Sequence, residues 1–585
     1  MKLKVALGQI RPVTGDIDGN VKQIIKAIEK SKSDGSDVLI FPELSITGYC
    51  CGALFENNGF IGENLNSLFD ICEYVSNDLV IIVGYADFGY DESCLGLLNA
   101  VSVIQNGEIK STYYKEFLAN DGHHEDKKYF ISGKDINNHG SYVAKVKKRG
   151  EDKFYNIGTL ICQDIWEVNN QDLLAKATHN ADLLAVCNHS YFTYEKKKER
   201  LKLVQDIAEN WDVPIAYVNP VGVGDIVKNV MIYDGGSFIV DKEGQLYADS
   251  FCDDFEPSYK QVYMNGCHAV VKELRDDKYS LIFRALNFTL REFYKLSGIK
   301  KAQVHISGGL DSAVVACLAA YAMGPENCVF ISNPTEFNGD ETRGFAQHIS
   351  DQLGVDLIWN PTGKIYERVV KEHKKSFGEE PTPTGKASIQ AVSRTVQGLA
   401  ASHTFGSGII ACGNHTEIVL GWASFHDIGS IGVLSLIGDL TKVEVFEFAE
   451  WINKKNEEEI IPASLYNGDS MPAAELPDSS EDPFDYFVVS GICAELIRNK
   501  ANKYELIEDF SNKELSEEFF PIDWTNGKSI YDKLNVKQFT EILEECICRS
   551  RKSVFKAAQS APVPIISKIS RGFSSRETLI NKYKK

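Results

Sequence analysis

Three segments of the chain carry side chains that could act together on an amide: Glu43 in FPELSITGY (41–49), Lys115 in YYKEFLAN (113–120) and Cys162 in GTLICQDIWE (158–167). A cysteine nucleophile needs a base to take its proton, and amide hydrolysis needs a cation or N–H donors where the oxyanion develops. A carboxylate, an ammonium and a thiol supply those three functions. Taken singly, each has an ordinary reading: Glu43 as a capping carboxylate, Lys115 as a solvated charge, Cys162 as one of 14 cysteines that mostly sit in apolar segments. A fourth segment is of another kind. Val304-His305-Ile306 reads as a strand and runs into Ser307-Gly308-Gly309-Leu310-Asp311-Ser312, after which the pattern turns helical. Two glycines and two hydroxyls at a helix start expose backbone N–H groups to an anion. A plain strand-to-helix turn has the same composition. The segment lacks the Gly-Lys-Ser/Thr of a Walker loop.

Glu43, Lys115 and Cys162 each stand at the end of a strand-like run, where α/β proteins assemble sites. Short apolar runs at Val38–Phe41, Leu79–Val83, Ile157–Cys162, Leu183–Cys187 and Ile215–Val218 alternate with amphipathic helices up to about residue 250. The acidic, Gly- and Pro-broken stretch 241–257 closes this α/β domain, which gives expected domains of 1–262 and 263–585. A helical run at Leu281–Leu296, strand Val304–Ile306 and helix Ser312–Ala322 open a second, doubly wound α/β unit, with later strands at Cys328–Ile331, Asp356–Trp359 and Gly408–Ala411. Segment GEEPTPTG (378–385) has the composition of a mobile loop.

With 585 residues the chain is too long for one hydrophobic core, while 43% hydrophobic and 25% charged residues are ordinary for a globular protein. A formal net charge of −20 repels nucleic acid and anionic membranes at long range, so neither is an expected partner. No stretch approaches the roughly 18 apolar residues of a membrane helix, and MKLKVALGQI runs straight into a strand. The reading is a soluble cytoplasmic protein with reduced thiols. Cys546-x-Cys548 lacks a second pair or a His at finger spacing and reads as helix packing.

The first three segments resemble, in order, the F-P-E, K-x-x-L-P-N and I-C-x-D stretches of the nitrilase superfamily. That resemblance implies an αββα sandwich in which Glu43 is the general base, Lys115 stabilises the oxyanion and Cys162 forms a thioester with glutamine. Asn188-His189-Ser190, followed by Lys196, is similar to the family's N-x-S stretch and its basic follower, implying glutamine contacts at Ser190 and Lys196. Asp121 stands where a tyrosine is expected and is carried as a further glutamine contact; Ala119 replaces a proline and Gln163 a glutamate. A second carboxylate before Tyr129-Phe130 falls to Glu125 or Asp126.

Residues 307–312 resemble the pyrophosphate loop of the ATP-pyrophosphatase superfamily, whose members cleave ATP between the α- and β-phosphates and adenylate their substrates. Gln390-Ala391 with Arg394, Gly413–Glu417, Gly438–Lys442, Pro472–Leu476 and the tail Phe555-Lys556 with Gln559 and Pro562 are similar, in order, to NAD synthetase segments of the long, glutaminase-fused form. The resemblance implies ATP on Ser307, Gly308, Gly309, Leu310, Asp311, Ser312 and Cys412. It implies nicotinic acid adenine dinucleotide on Ser388, Glu417, Trp422 and Lys556, and Mg²⁺ partly on Glu417. The implied reaction adenylates the nicotinate carboxylate, then aminates it with ammonia passed along a protected path from Cys162. Such enzymes typically associate through the synthetase domain, so a homo-oligomer is expected. A GMP or asparagine synthetase relative would share the loop, but those enzymes carry other glutaminase folds. An inactive scaffold would not need Glu43, Lys115, Cys162, Asp311 and Glu417 intact.

Overall fold

The computed structural model describes residues 3–76, 78–91, 94–120, 123–136, 140–167, 169–247, 252, 254–264, 277–336, 338–422, 426–468 and 484–568. The chain gathers into two compact units, Met1–Ile226 with Met231–Asp277 and Val227–Val230 with Lys278–Lys585.

The first unit is built on two sheets. Strands β1 (Lys4–Gln9), β2 (Val38–Ile40), β3 (Val80–Asp91), β4 (Cys94–Gln105) and β5 (Glu108–Tyr114) form one with a late strand, Ser258–Tyr263. The other holds β6 (Val143–Lys147), β7 (Phe154–Ile161), β8 (Leu183–Cys187) and β9 (Ile215–Val218) with Phe238–Val240. In each the central strands run parallel and the outer ones antiparallel. Side chains alternate across a pleat. Val5, Leu7, Val38, Ile40, Val80 and Ile82 therefore enter a core shared with Ile157, Ile161, Leu183 and Ala185 of the second sheet. Ala6, Leu39, Ile81 and Val83 point the other way, onto Ile24, Ile28, Leu68 and Ile71 of helices Ile17–Asp34 and Asn58–Glu73. Helices Gln171–Thr178 and Lys196–Trp211 pack their Leu173, Leu174, Val204 and Ile207 on the second sheet. The result is the expected αββα sandwich. Strands buried on both faces read as continuous apolar runs, which is why these were found in the sequence. Strand β3 continues far beyond Val83, because its polar and aromatic second half pairs with β4 along the whole hairpin.

The second unit is a parallel sheet. To keep strand numbers in chain order, Phe238–Val240 is β10, Ser258–Tyr263 β11, Lys301–His305 β12, Cys328–Ser332 β13, Leu357–Trp359 β14, Ser407–Ala411 β15 and Leu434–Ser435 β16. The spatial order is β14-β13-β12-β15-β16, all parallel, so the winding reverses between β12 and β15. Ligands of doubly wound sheets bind at such a switch point, beyond the carboxyl ends of the strands. Helix Leu310–Met323, which follows β12, is apolar all round and almost wholly buried, as a helix covered by its neighbours must be. One expectation is corrected. Thr382 caps Gly385 at 3.1 Å and Pro383 occupies the first turn, so the second half of GEEPTPTG begins helix Pro383–Phe405.

Candidate active sites

In the first unit Glu43 lies three residues past β2, Lys115 one past β5 and Cys162 one past β7. The Glu43 turn crosses directly over β3. A Cβ on Gly84 would stand 2.5 Å from Leu44 N, 2.6 Å from the Pro42 carbonyl oxygen and 2.9 Å from the Glu43 carbonyl carbon, so only glycine lets the turn lie this close. Glu43 and Lys115 are fully buried. Oε1 of Glu43 accepts Lys115 Nζ at 2.6 Å and Asn99 Nδ2 at 2.7 Å. Oε2 is buried and has no partner among the described residues. Lys115 also donates to Asp126 Oδ2 at 2.7 Å, an atom that accepts the Ala119 amide at 3.0 Å, and Asp126 Oδ1 accepts the Tyr49 hydroxyl. Geometry thus separates the two carboxylates that the sequence left open. Asp126 meets Lys115, while Glu125 pairs with Lys128 at 3.5 Å.

Electrostatics follow from burial and from that ion triad. Burial raises Glu43 above the usual carboxylate range against the pull of Lys115. Burial by itself would lower Lys115, but Asp126 and Glu43 overrule it and hold the ammonium well above its ordinary value. The Cys162 thiol is pushed up to about 12, first by burial and then by Glu43, with Lys115 and a hydrogen bond from the His189 backbone pulling the other way. The resting thiol is therefore protonated, and it sits beside a carboxylate with one free oxygen. Cys162 itself has φ 42 and ψ −97, a conformation L-residues rarely adopt.

The residues expected to contact glutamine divide. Ser190 is buried; its amide donates to Asn219 Oδ1 at 2.9 Å, and its carbonyl accepts Arg200 Nη2 at 2.9 Å and Asn219 Nδ2 at 3.0 Å. The Lys196 ammonium lies 4.4 Å from the Trp166 ring, four residues beyond Cys162. Asp121 lies outside the described residues. Sequence reasoning missed Asn99, Tyr49 and His189. The His189 ring donates from Nδ1 to the Glu43 carbonyl at 3.0 Å, stacks on Tyr49 at 5.2 Å and meets Tyr233 edge-on at 4.4 Å. Burial pulls its pKa down to about 3, so the ring is neutral at ordinary pH. Its one sequence signal was its place inside the N-x-S stretch.

In the second unit Ser307–Ser312 lies at the carboxyl end of β12, and Cys412–Glu417 at that of β15, on the two sides of the switch point. Gly308 has φ +91, and a Cβ there would stand 2.0 Å from the Thr342 carbonyl oxygen. Ser312 Oγ donates to the Gly309 carbonyl at 2.9 Å, and the Gly309 amide donates to Ser307 Oγ at 3.2 Å, closing the loop on itself at the helix start. Asp311 Oδ1 accepts Asn414 Nδ2 at 3.0 Å, and Oδ2 accepts the Lys442 ammonium, which stands 4.0 Å from Glu417 Oε1. Asn414 and Glu417 form a capping box at the start of helix His415–Leu420. The Cys412 thiol is pushed up by burial and then by the charges of Asp311, Glu417 and Asp427. Asn414 and Lys442 stand in segments 413–417 and 438–442, but no pattern in the sequence signals that they meet Asp311.

Glu417 and Lys556 line one cleft with Ile418, Gly421, His426 and Ser430. Lys556 Nζ donates to the Gly421 carbonyl at 2.8 Å. Trp422 follows, its amide on the Glu417 carbonyl at 2.9 Å and its ring against Phe484 at 5.1 Å. Ser388 is not among the cleft residues; its hydroxyl bonds back to the Thr384 carbonyl of its own helix at 2.9 Å. Segment 472–476 lies outside the described residues.

Comparison with known proteins fits both halves. Residues 4–263 match the carbon-nitrogen hydrolase family and residues 282–519 the NAD synthase family. Glutamine-dependent NAD(+) synthetases of Thermotoga maritima (27% identical, 100% of this chain and 99% of the relative), Acinetobacter baylyi (25%, 88% and 91%) and Synechocystis sp. (27%, 86% and 90%) are similar over most of their length. Solved structures of glutamine-dependent NAD(+) synthetases from Cytophaga hutchinsonii (TM-score 0.78, 18% identical, 100% and 98% covered) and Acinetobacter baumannii (0.72, 23%, 99% and 98%) share the fold. A carbon-nitrogen hydrolase domain followed by an NAD synthase domain defines a ligase that carries its own glutaminase. The chain belongs to the family of glutamine-dependent NAD(+) synthetases. Among the described residues no helix is long and apolar enough to cross a membrane.

Proposed function

We propose that the chain amidates nicotinic acid adenine dinucleotide to NAD through an acyl-adenylate, with ammonia made by hydrolysis of glutamine at Cys162. The observation that carries this reading is that each half of the chain brings a reactive set together at strand ends: Glu43, Lys115, Asp126 and Cys162 in one, the 307–312 loop with Asn414 and Lys442 in the other. The neutral thiol gives its proton to Glu43 Oε2 as sulfur attacks the carboxamide carbon. Lys115 offers its charge to the oxyanion, and Glu43 passes the proton to the departing nitrogen. Water then hydrolyses the thioester, again with Glu43 as base. Ser190 and Lys196 are read as glutamine contacts.

In the ligase half, ATP makes the nicotinate carboxylate reactive by giving it AMP as leaving group, because a bare carboxylate would have to expel oxide. The 307–312 loop, closed on itself at a helix N-terminus, suits the departing pyrophosphate. Glu417, Trp422 and Lys556 are read as dinucleotide contacts. No ready-made metal cage occurs among the described residues. Glu417 nevertheless suits Mg²⁺, which takes one or two carboxylates together with substrate phosphates. Bound there, it would neutralise the triphosphate. Helix Pro383–Phe405 leaves Val392, Val396 and Leu399 exposed along one stripe, which suits a homo-oligomer.

Product analysis tests the ligase half. With glutamine, ATP, Mg²⁺ and the acid dinucleotide, AMP and pyrophosphate are expected in equal amounts with NAD; ADP and phosphate would overturn the loop assignment. A second expectation concerns Lys115→Met. Removing one oxyanion donor costs about 10²–10³ in the chemical step, so glutamine turnover should fall by that factor while glutamine binding is largely spared. Weakened binding with normal turnover would make Lys115 a substrate contact instead.

A further inference from the structure

We propose that Asp164, which takes no part in bond making, is the positioning residue that fixes the nucleophile and the oxyanion cation relative to one another. Its carboxylate is fully buried and uses both oxygens twice. Oδ2 accepts the amide of Ile161, the residue before Cys162, at 3.1 Å and the Tyr113 hydroxyl at 2.8 Å. Oδ1 accepts the amides of Glu116 and Phe117, the two residues after Lys115, at 3.2 and 2.8 Å. One side chain thus ties the end of β7, in one sheet, to the end of β5, in the other.

A carboxylate withdrawn from water is costly unless its lone pairs are used, and here burial pushes Asp164 up to about 7. A site that needed only to fill space would hold an apolar side chain at less expense. The four bonds go to the backbone and phenol flanking Lys115 and to the backbone flanking Cys162. The backbone of Cys162 needs the same support, because its φ of 42 and ψ of −97 persist only when their surroundings hold them. Asp164, two residues on, reaches back across that turn to the Ile161 amide and clamps it from inside.

The inference rests on the reading of Cys162 and Lys115 given above. The test is Asp164→Asn. A carboxamide has one acceptor oxygen and turns an NH₂ group on two of the four donors, so the tie between the strand ends is broken on one side while the volume stays the same. A displacement of about 1 Å at a reacting group costs on the order of 10² in rate. The glutaminase kcat should therefore fall on the order of 10²-fold, with KM for glutamine within about threefold of wild type and ammonia-fed NAD synthesis unchanged. An unchanged kcat, a raised KM at normal kcat, or a parallel loss of ammonia-fed synthesis would each overturn the proposal. If Asp164→Asn does not fold, Tyr113→Phe removes one of the four bonds and decides: a several-fold drop in kcat at constant KM supports the tie, an unchanged kcat refutes it. A Cys162→Ala enzyme that still hydrolysed glutamine would refute the underlying reading; full activity in Asp164→Asn beside an inactive Cys162→Ala would refute the positioning role alone.

Discussion

Replacing Cys162 with alanine is expected to abolish glutamine-dependent NAD formation while leaving ammonia-dependent formation at or near the wild-type rate. In the proposed mechanism the thioester is made at this sulfur, so removal of the nucleophile should cost on the order of 10⁴-fold or more in glutamine turnover. The proposed acyl-adenylate needs only ammonia, and a high concentration of ammonium salt supplies enough of the free base. Deleting one buried sulfur leaves at most a small cavity, worth about 1 kcal/mol, which a thermal melt would report separately. Continued use of glutamine by the folded variant would remove Cys162 from the mechanism. Loss of both activities would mean that the two half-reactions depend on one another more tightly than separate centres require.

The complementary experiment lies in the other half of the chain. Asp311→Ala removes the acceptor of both Asn414 and Lys442 at the switch point. It leaves the Lys442 ammonium, nearly buried, without its closest counter-charge. With the triphosphate bound as proposed, misplacing the groups around it should lower NAD formation by about 10²-fold or more with glutamine or ammonia alike. Ser307→Ala, which takes away the hydroxyl that receives the Gly309 amide, should act in the same direction. Glutamine hydrolysis measured alone should survive in both. Unimpaired synthesis from either nitrogen source would show that the loop does not serve the adenylation.

The sequence carried the scaffold well where burial was uniform. Leu183–Cys187 and Ile215–Val218 match the observed strands residue for residue, because a strand covered on both faces is apolar throughout. It carried the second half of β3 poorly, since Gly84–Asp91 mixes glycine, aromatic and acidic residues and owes its conformation to the neighbouring hairpin strand. The reactive residues of the sites were legible for a different reason: Glu43, Lys115 and Cys162 are chemically distinctive and end their strands. Their supports were not. Nothing local separates Asp126 from Glu125, two adjacent carboxylates, until the backbone turns one toward Lys115 and the other toward Lys128. His189 and Lys442 likewise acquire meaning only from partners 146 and 131 residues away.

The close passage of the Glu43 turn over Gly84 has an evolutionary side. Glu43, the proposed general base, is set in place by an absent methyl group, on a strand residue that has no chemistry of its own. All three atoms that a Cβ would meet there are backbone, so no side chain can swing aside to make room. Drift at position 84 would lift Glu43 away from Lys115 and Cys162 without altering a single reactive residue. Descendants of such a change would keep an intact triad to the eye and live as ammonia-fed ligases, their dependence on glutamine lost through a position that an inventory of catalytic side chains never contains.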